Sequence, residues 1–367
     1  VRIADDLRKS TVFLGEELAD DKGNSAIDAR ATGFFVVWQS DTGRPYLENM
    51  EPECSGIYLV TARHVAEPLG SHFAIRFNKK TGGSDIERIE KARWTVHRDD
   101  TVDVAVLHCG YPDWADCIPI PGRLLAKPTI GDTIVSTVEA DDLIFNDPNL
   151  GIGDIAYVVG LFHLIKGHKV NLPVVHTGHI ALLPGDEKIP VWNRTTQKMR
   201  QVEGYLVEAH GLEGLSGAPV FARTSSPVTA PYRYEGPPLI GGVKMEQPVH
   251  GRLHSVTVLL GLWRSSWEGE PDDTLAKDKK LSGHRIPVGM GVVVPANKIA
   301  ETLNDPELIM ARRKEFERRA RERAAIDDAL PPLKSSRHDD DANPRHREDF
   351  NSLLNAAAKT PKRDEKT

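Results

Sequence analysis

Three residues stand in contexts suited to nucleophilic catalysis: Ser216, His64 and Asp103. Ser216 lies in Gly214-Leu215-Ser216-Gly217-Ala218-Pro219-Val220, framed by glycines and followed by proline and an apolar residue. Glycine permits a tight turn and leaves main-chain N–H groups aimed at one spot, where an oxyanion could be held. A G-x-S-G-x-P run arises by chance in roughly one chain of this length in a hundred, so alone it does not separate a nucleophile from an ordinary Gly-Ser turn.

Serine is a poor nucleophile until a base takes its proton. In Tyr58-Leu59-Val60-Thr61-Ala62-Arg63-His64-Val65-Ala66 an apolar strand ends in small residues and places His64 at a turn, where an imidazole can reach a cleft. The ordinary alternative is a structural histidine. A carboxylate would fix the tautomer of such a base and stabilise its imidazolium. Thr101-Val102-Asp103-Val104-Ala105-Val106-Leu107 places Asp103 inside an otherwise apolar strand, where ionisation is costly without a partner such as His64. The alternative is an Asp capping the start of that strand.

The chain order is His64, Asp103, Ser216, as in chymotrypsin rather than subtilisin or the α/β-hydrolases. Together the motifs resemble those of the trypsin-like serine peptidases of the chymotrypsin fold. Thr61-Ala62-Arg63-His64 is similar to the family's T-A-x-H, Asp103-Val104-Ala105-Val106-Leu107 to D-[IL]-A-[LV]-L, and Gly214–Pro219 to G-x-S-G-x-P. Ala31-Thr32-Gly33-Phe34-Phe35-Val36, Thr177-Gly178-His179-Ile180 and Leu259-Leu260-Gly261-Leu262 extend the resemblance over roughly residues 10–300. It implies that Ser216 attacks a scissile carbonyl, His64 acts as base and then acid, and Asp103 orients His64. The N–H groups of Gly214 and Ser216 would form the oxyanion hole. His210, Trp263 and Arg264 would fall at the pocket for the substrate side chain, whose floor lacks the Asp of Lys/Arg-specific enzymes. A His or Arg there would favour acidic side chains, or Trp263 would fill the pocket.

Departures from the family are informative. Leu215 stands where secreted relatives have an Asp that pairs with a freshly cleaved N-terminus, and no I-V-G-G-like start precedes Ser10, so activation by clipping is not implied. Val65 and Ala66 occupy the place of the usual half-cystine. Only 57 residues follow position 310, too few for the PDZ module of the periplasmic branch.

The elements that must position these residues read as β-rich. Short β-branched and aromatic runs recur between turn signals, from Ser10–Leu14 and Gly33–Trp38 through Tyr205–Glu208 to Gly291–Val294, which points to an antiparallel sandwich or a pair of barrels. With the resemblance, the expected fold is all-β: two six-stranded antiparallel barrels, a C-terminal helix at roughly 297–325 and a disordered tail. Residues 1–310 would form the protease domain and 311–367 the appendage. Residues 222–237 and 264–285 read as polar surface insertions.

The 367 residues carry a net charge of −6, composed of −9 over residues 1–310 and +3 over the tail. The acidic body gives no footprint for wrapping nucleic acid, and the tail's arginines interleave with glutamates as a solvated helix face would. No run of about 18 apolar residues suggests a membrane-spanning helix. Three cysteines, Cys54, Cys109 and Cys117, make no even framework, and with no leader-like N-terminus the expected setting is a bacterial cytoplasm. His163, His168, His176 and His179 lack the carboxylate or thiol company of a tetrahedral metal site, so no metal or cofactor is expected. A protein or peptide substrate is expected, and in the absence of zymogen control a regulatory protein partner. The competing function is a catalytically silent module that binds through its insertions or tail.

Overall fold

A computed structural model describes residues 5–19, 25–39, 55–121, 129–130, 133–134, 150–165, 167, 169–185, 187–193, 198–223, 228–229, 253–254, 257–269 and 286–329. The first compact unit is Val1–Phe316 and the second Glu317–Thr367.

After helix α1 (Asp5–Lys9) the first half holds eight strands: β1 (Thr11–Ala19), β2 (Ser25–Gln39), β3 (Ser55–Thr61), β4 (Phe73–Asn78), β5 (Ser84–Ile89), β6 (Thr95–Val96), β7 (Ala105–His108) and β8 (Ile120–Pro121). Helix α2 (Arg63–Leu69) follows β3 directly. The strands lie in the order β5-β4-β1-β2-β3-β7-β6, and β8 pairs in parallel with β2. Two closed barrels are expected from the sequence, but among the described residues this sheet does not close. Its ends are β5, half-exposed and carrying Asp85, Glu87 and Arg88, and the two-residue β6. A charged strand and a very short one are poor partners for a ladder.

The second half does close. It comprises β9 (Thr129–Ile130), β10 (Thr133–Ile134), β11 (Ile155–Gly160), β12 (Val174–Leu182), β13 (Ile189–Asn193), β14 (Lys198–Val202), β15 (Tyr205–Glu208), β16 (Pro219–Arg223), β17 (Val228–Thr229), β18 (Leu253–His254), β19 (Thr257–Gly269) and β20 (Ile286–Pro295). Antiparallel pairing runs β19-β16-β11-β12-β15-β20 and back to β19, a six-stranded barrel, with β9 and β10 extending from β19. Closure removes the unpaired edges. Val158, Val207, Val220, Leu259 and Val293 are fully buried, each from a different strand of this ring, and one apolar core joins them to Phe34, Leu59 and Val106 of the first sheet.

The expected single helix after the barrel is two, α3 (Ala296–Leu303) and α4 (Pro306–Ala329). Pro306 has no N–H and disfavours a helical residue before it, so the first helix stops. Asp305 Oδ1 then accepts the N–H of Glu307 at 2.9 Å, capping α4 with Pro306 in its first turn. The segments at 222–223 and 264–269, read as insertions, are strand; residues 230–252 and 270–285 lie outside the described residues, as do the Leu239–Val243 run, His168, Cys54 and the tail beyond 329.

Candidate active site

His64 is the second residue of α2, whose N-cap, Ala62, has no side-chain acceptor to offer. The first N–H groups of a helix need partners from elsewhere. Asp103 supplies one: its Oδ1 accepts the main-chain N–H of His64 at 2.9 Å while Oδ2 lies 2.7 Å from His64 Nδ1. The ring bond requires Nδ1 to carry the hydrogen, because an ionised carboxylate only accepts, and this leaves Nε2 as the acceptor of the ring. The carboxylate side chain is 7 % exposed and the imidazole 48 %.

Asp103 does not lie inside a strand; it precedes β7, just after the turn at residues 100–101. Asp99 Oδ1 accepts both the N–H (2.9 Å) and the hydroxyl (2.7 Å) of Thr101, and this side-chain turn holds the segment before β7. Burial, the largest influence, pushes the Asp103 carboxyl up. The charge and hydrogen bonds of His64 and the Arg264 guanidinium outweigh it and hold the group at about 2.

Ser216 is placed by two glycines with positive φ, Gly214 (101°) and Gly217 (84°). A side chain at Gly217 would collide with Thr32 O and Thr61 Oγ1, so glycine is needed there both for conformation and for space. Leu215 is fully buried in the core. The fully buried Thr32 fastens this turn to the first sheet. Its N–H donates to Ser216 O (3.0 Å) and its hydroxyl to Gly214 O (2.7 Å), and the same hydroxyl accepts Leu161 N–H (2.9 Å). Thr61, three residues before His64, donates to Thr32 O at 2.8 Å, so one residue connects the serine turn to the histidine strand.

Ser216 Oγ donates a long bond, 3.4 Å, to Arg264 O. Among the described residues no hydrogen bond joins it to His64 Nε2, and no protein acceptor engages the N–H groups of Gly214 and Ser216. Arg264, expected at the pocket wall, has its Nε 3.5 Å from Asp103 Oδ2. Trp263 is 1 % exposed, with its indole packed where a side chain on Gly291 would have to go. His210 is exposed and sits beside the half-buried His176 of β12, which is held below the ordinary histidine range by burial and then by the charge of His210. No group of three or more His, Cys, Asp or Glu among the described residues could hold a metal ion, and no described helix is long and apolar enough to cross a membrane.

Sequence reasoning missed two contacts of the site. Thr32 stands in a quoted motif, yet nothing local marks its long-range bonds. Arg264, expected at the substrate pocket, pairs with Asp103, and only its place as a lone cation after the apolar run Leu259–Trp263 marks it for that contact.

No family model and no curated protein matches the chain. Among solved structures, the MamO protease domain from Magnetospirillum magneticum in its apo form is 13 % identical, covering 82 % of this chain and 98 % of that one, with a TM-score of 0.37. The active form of the Rv3671c protease from M. tuberculosis is 14 % identical, covering 81 % and 80 %, with a TM-score of 0.34. At such scores the fold assignment rests on the chain's own strand pairing.

Proposed function

We propose that this chain is a serine endopeptidase that works through His64, Asp103 and Ser216. The observation that carries this reading is the two-point bond of Asp103 to the main chain and ring of His64, which presents Nε2 as a base. Ser216 Oγ would attack a peptide carbonyl as Nε2 takes its proton, and Asp103 would stabilise the resulting imidazolium. The N–H groups of Gly214 and Ser216 would receive the oxyanion, each donor contributing on the order of 3 kcal/mol. Nε2 then protonates the leaving amine, and water, activated in the same way, hydrolyses the acyl-enzyme. Every step uses protein groups and water. The substrate would be a protein or peptide bound between the closed barrel and a first sheet acting as the second barrel of a chymotrypsin-like pair, residues 1–310 forming that domain. A cytoplasmic enzyme of this kind would be restrained by a protein partner.

The second reading is a silent or partner-regulated module, favoured by the Ser216 hydroxyl bonding to Arg264 O rather than to His64. Catalytic hydrogen bonds are often long or unmade without substrate. Labelling with a fluorophosphonate probe decides: the full chain should label while Ser216→Ala and His64→Ala should not. A full chain that never labels, alone or with cell extract, excludes the peptidase.

A further inference from the structure

Arg264 sits where β19 slips against β20. Trp263 pairs with Val293 and Ser265 with Val292, so Arg264 is the extra residue of a bulge. A bulge re-aims the side chain of its extra residue. Here the guanidinium enters the site, only 12 % exposed, with Nε 3.5 Å from Asp103 Oδ2, the same oxygen that holds His64 Nδ1. Nη1 donates to Thr101 O at 3.3 Å, which anchors the other end of the fork beside the turn. The main chain of the same residue accepts the Ser216 hydroxyl.

Two cations therefore compete for one carboxylate oxygen when His64 is protonated. The partner charges acting on Asp103 are His64 from α2 and Arg264 from β19. Asp103 and Arg200 of β14 act on Arg264, and Arg200 is itself paired with Asp100 at 3.1 Å. The remaining charges of α2 next to His64, Arg63 and Glu67, pair with each other at 2.7 Å. The Asp103 and Arg264 side chains, 7 % and 12 % exposed, interact through a low local dielectric. A buried guanidinium on Oδ2 neutralises part of the charge that favours an imidazolium and repels that imidazolium directly.

We propose that Arg264 is a positioning residue that tunes the His64–Asp103 pair: its guanidinium draws on the Oδ2 charge, so less of that charge is left to hold an imidazolium at His64. The imidazolium formed during reaction is then stabilised less than it would be beside Asp103 alone. The electrostatic argument stands on geometry; its kinetic consequence rests on the peptidase reading. The side chain alone is at issue, since substitution leaves the carbonyl that meets Ser216 in place.

The test uses the full chain and the variants Arg264→Gln, Arg264→Met and Arg264→Lys, each checked for folding by thermal melting. The NMR titration of the His64 ring is followed together with the pH dependence of fluorophosphonate labelling. Either neutral variant should move the midpoint and the acid limb of labelling upward by about one pH unit. Arg264→Lys should stay near the parent profile. A folded neutral variant with an unmoved midpoint overturns the proposal, as does a Lys variant displaced as far as the neutral ones. If labelling persists while the midpoint stays, the tuning fails and the peptidase reading survives. If nothing labels but the midpoint moves, the tuning stands and the peptidase reading falls.

Discussion

Thr32 Oγ1 and Gly214 O, 182 positions apart in the chain, share a buried 2.7 Å hydrogen bond that ties β2 to the turn carrying Ser216. The hydroxyl is used twice, since it also accepts the N–H of Leu161. Thr32→Val keeps the shape and strands a buried donor and a buried acceptor. Each unsatisfied group costs about 1–3 kcal/mol, so urea unfolding should show a loss of about 2 kcal/mol or more. Release of the Gly214 peptide should also lower the labelling rate of Ser216 on the order of 10- to 100-fold. Thr32→Ser keeps the hydroxyl and should recover most of the rate; a Ser variant as slow as Val would show that the methyl group, not the bond, matters.

Gly217 and Gly153 both have positive φ, 84° and 93°, and differ in what surrounds them. A methyl at Gly217 meets the Thr32 carbonyl and the Thr61 hydroxyl, whereas at Gly153 it meets open space. Gly153→Ala should cost only the backbone penalty, about 1 kcal/mol. Gly217→Ala adds a collision with main chain and should cost at least about 2 kcal/mol, and labelling should fall with it. Equal melting temperatures for the two variants would contradict this account.

How far the sequence spoke depended on whether a feature was local. Tyr205–Glu208 is a strand with the bounds its short run of β-branched and aromatic residues between turn signals suggests, because such side chains fit a pleated, half-buried surface. The charged β5 prints no such run, and the β13–β14 hairpin, where Pro190 stands between the buried Ile189 and Val191, lies outside the expected strands. Asp305-Pro306 carried a legible helix stop, outweighed by the charged periodicity around it. The two-point grip of Asp103 on His64 combines a helix N-terminus with a turn 39 residues later, and only the partnership was readable. The bulge at Arg264 depends on the register of β20, which no inspection of β19 alone could reveal.

His210 and His176 bear on the proposed substrate pocket. Trp263 is packed on Gly291 and Arg264 Nε lies 3.5 Å from Asp103 Oδ2, while His210 is exposed and its charge reaches the half-buried His176. Two imidazoles offer N–H donors and no anion. Peptides with Glu or Asp before the cleaved bond should therefore be cut at least about tenfold faster than those with Lys. His210→Asp should reverse the order mainly through KM. A library profile in which Lys leads for the parent protein would remove His210 from the pocket.

Asp103 should also leave a signature in stability, independent of any activity. Its carboxyl is held at about 2 against an ordinary 3.8, so the folded state binds its proton more weakly than the unfolded chain. A depressed carboxylate stabilises the fold fully above the unfolded value, and the contribution is lost as pH falls through the folded one. The window is thus from about pH 4 down to about pH 2, and the amount about 2 kcal/mol. Asp103→Asn abolishes this titration while keeping the side chain's size. The stability difference between parent and variant, measured by urea unfolding, should be flat above about pH 4.5 and shrink by about 2 kcal/mol at the acid end. In the same variant the labelling rate near neutral pH should fall on the order of 10⁴-fold, because an amide can hold the wrong tautomer of His64 and cannot stabilise its cation. A stability difference that stays constant down to pH 2 would mean that the grip on His64 does not depend on charge, and the argument for Asp103 as the orienting carboxylate would lose its electrostatic half.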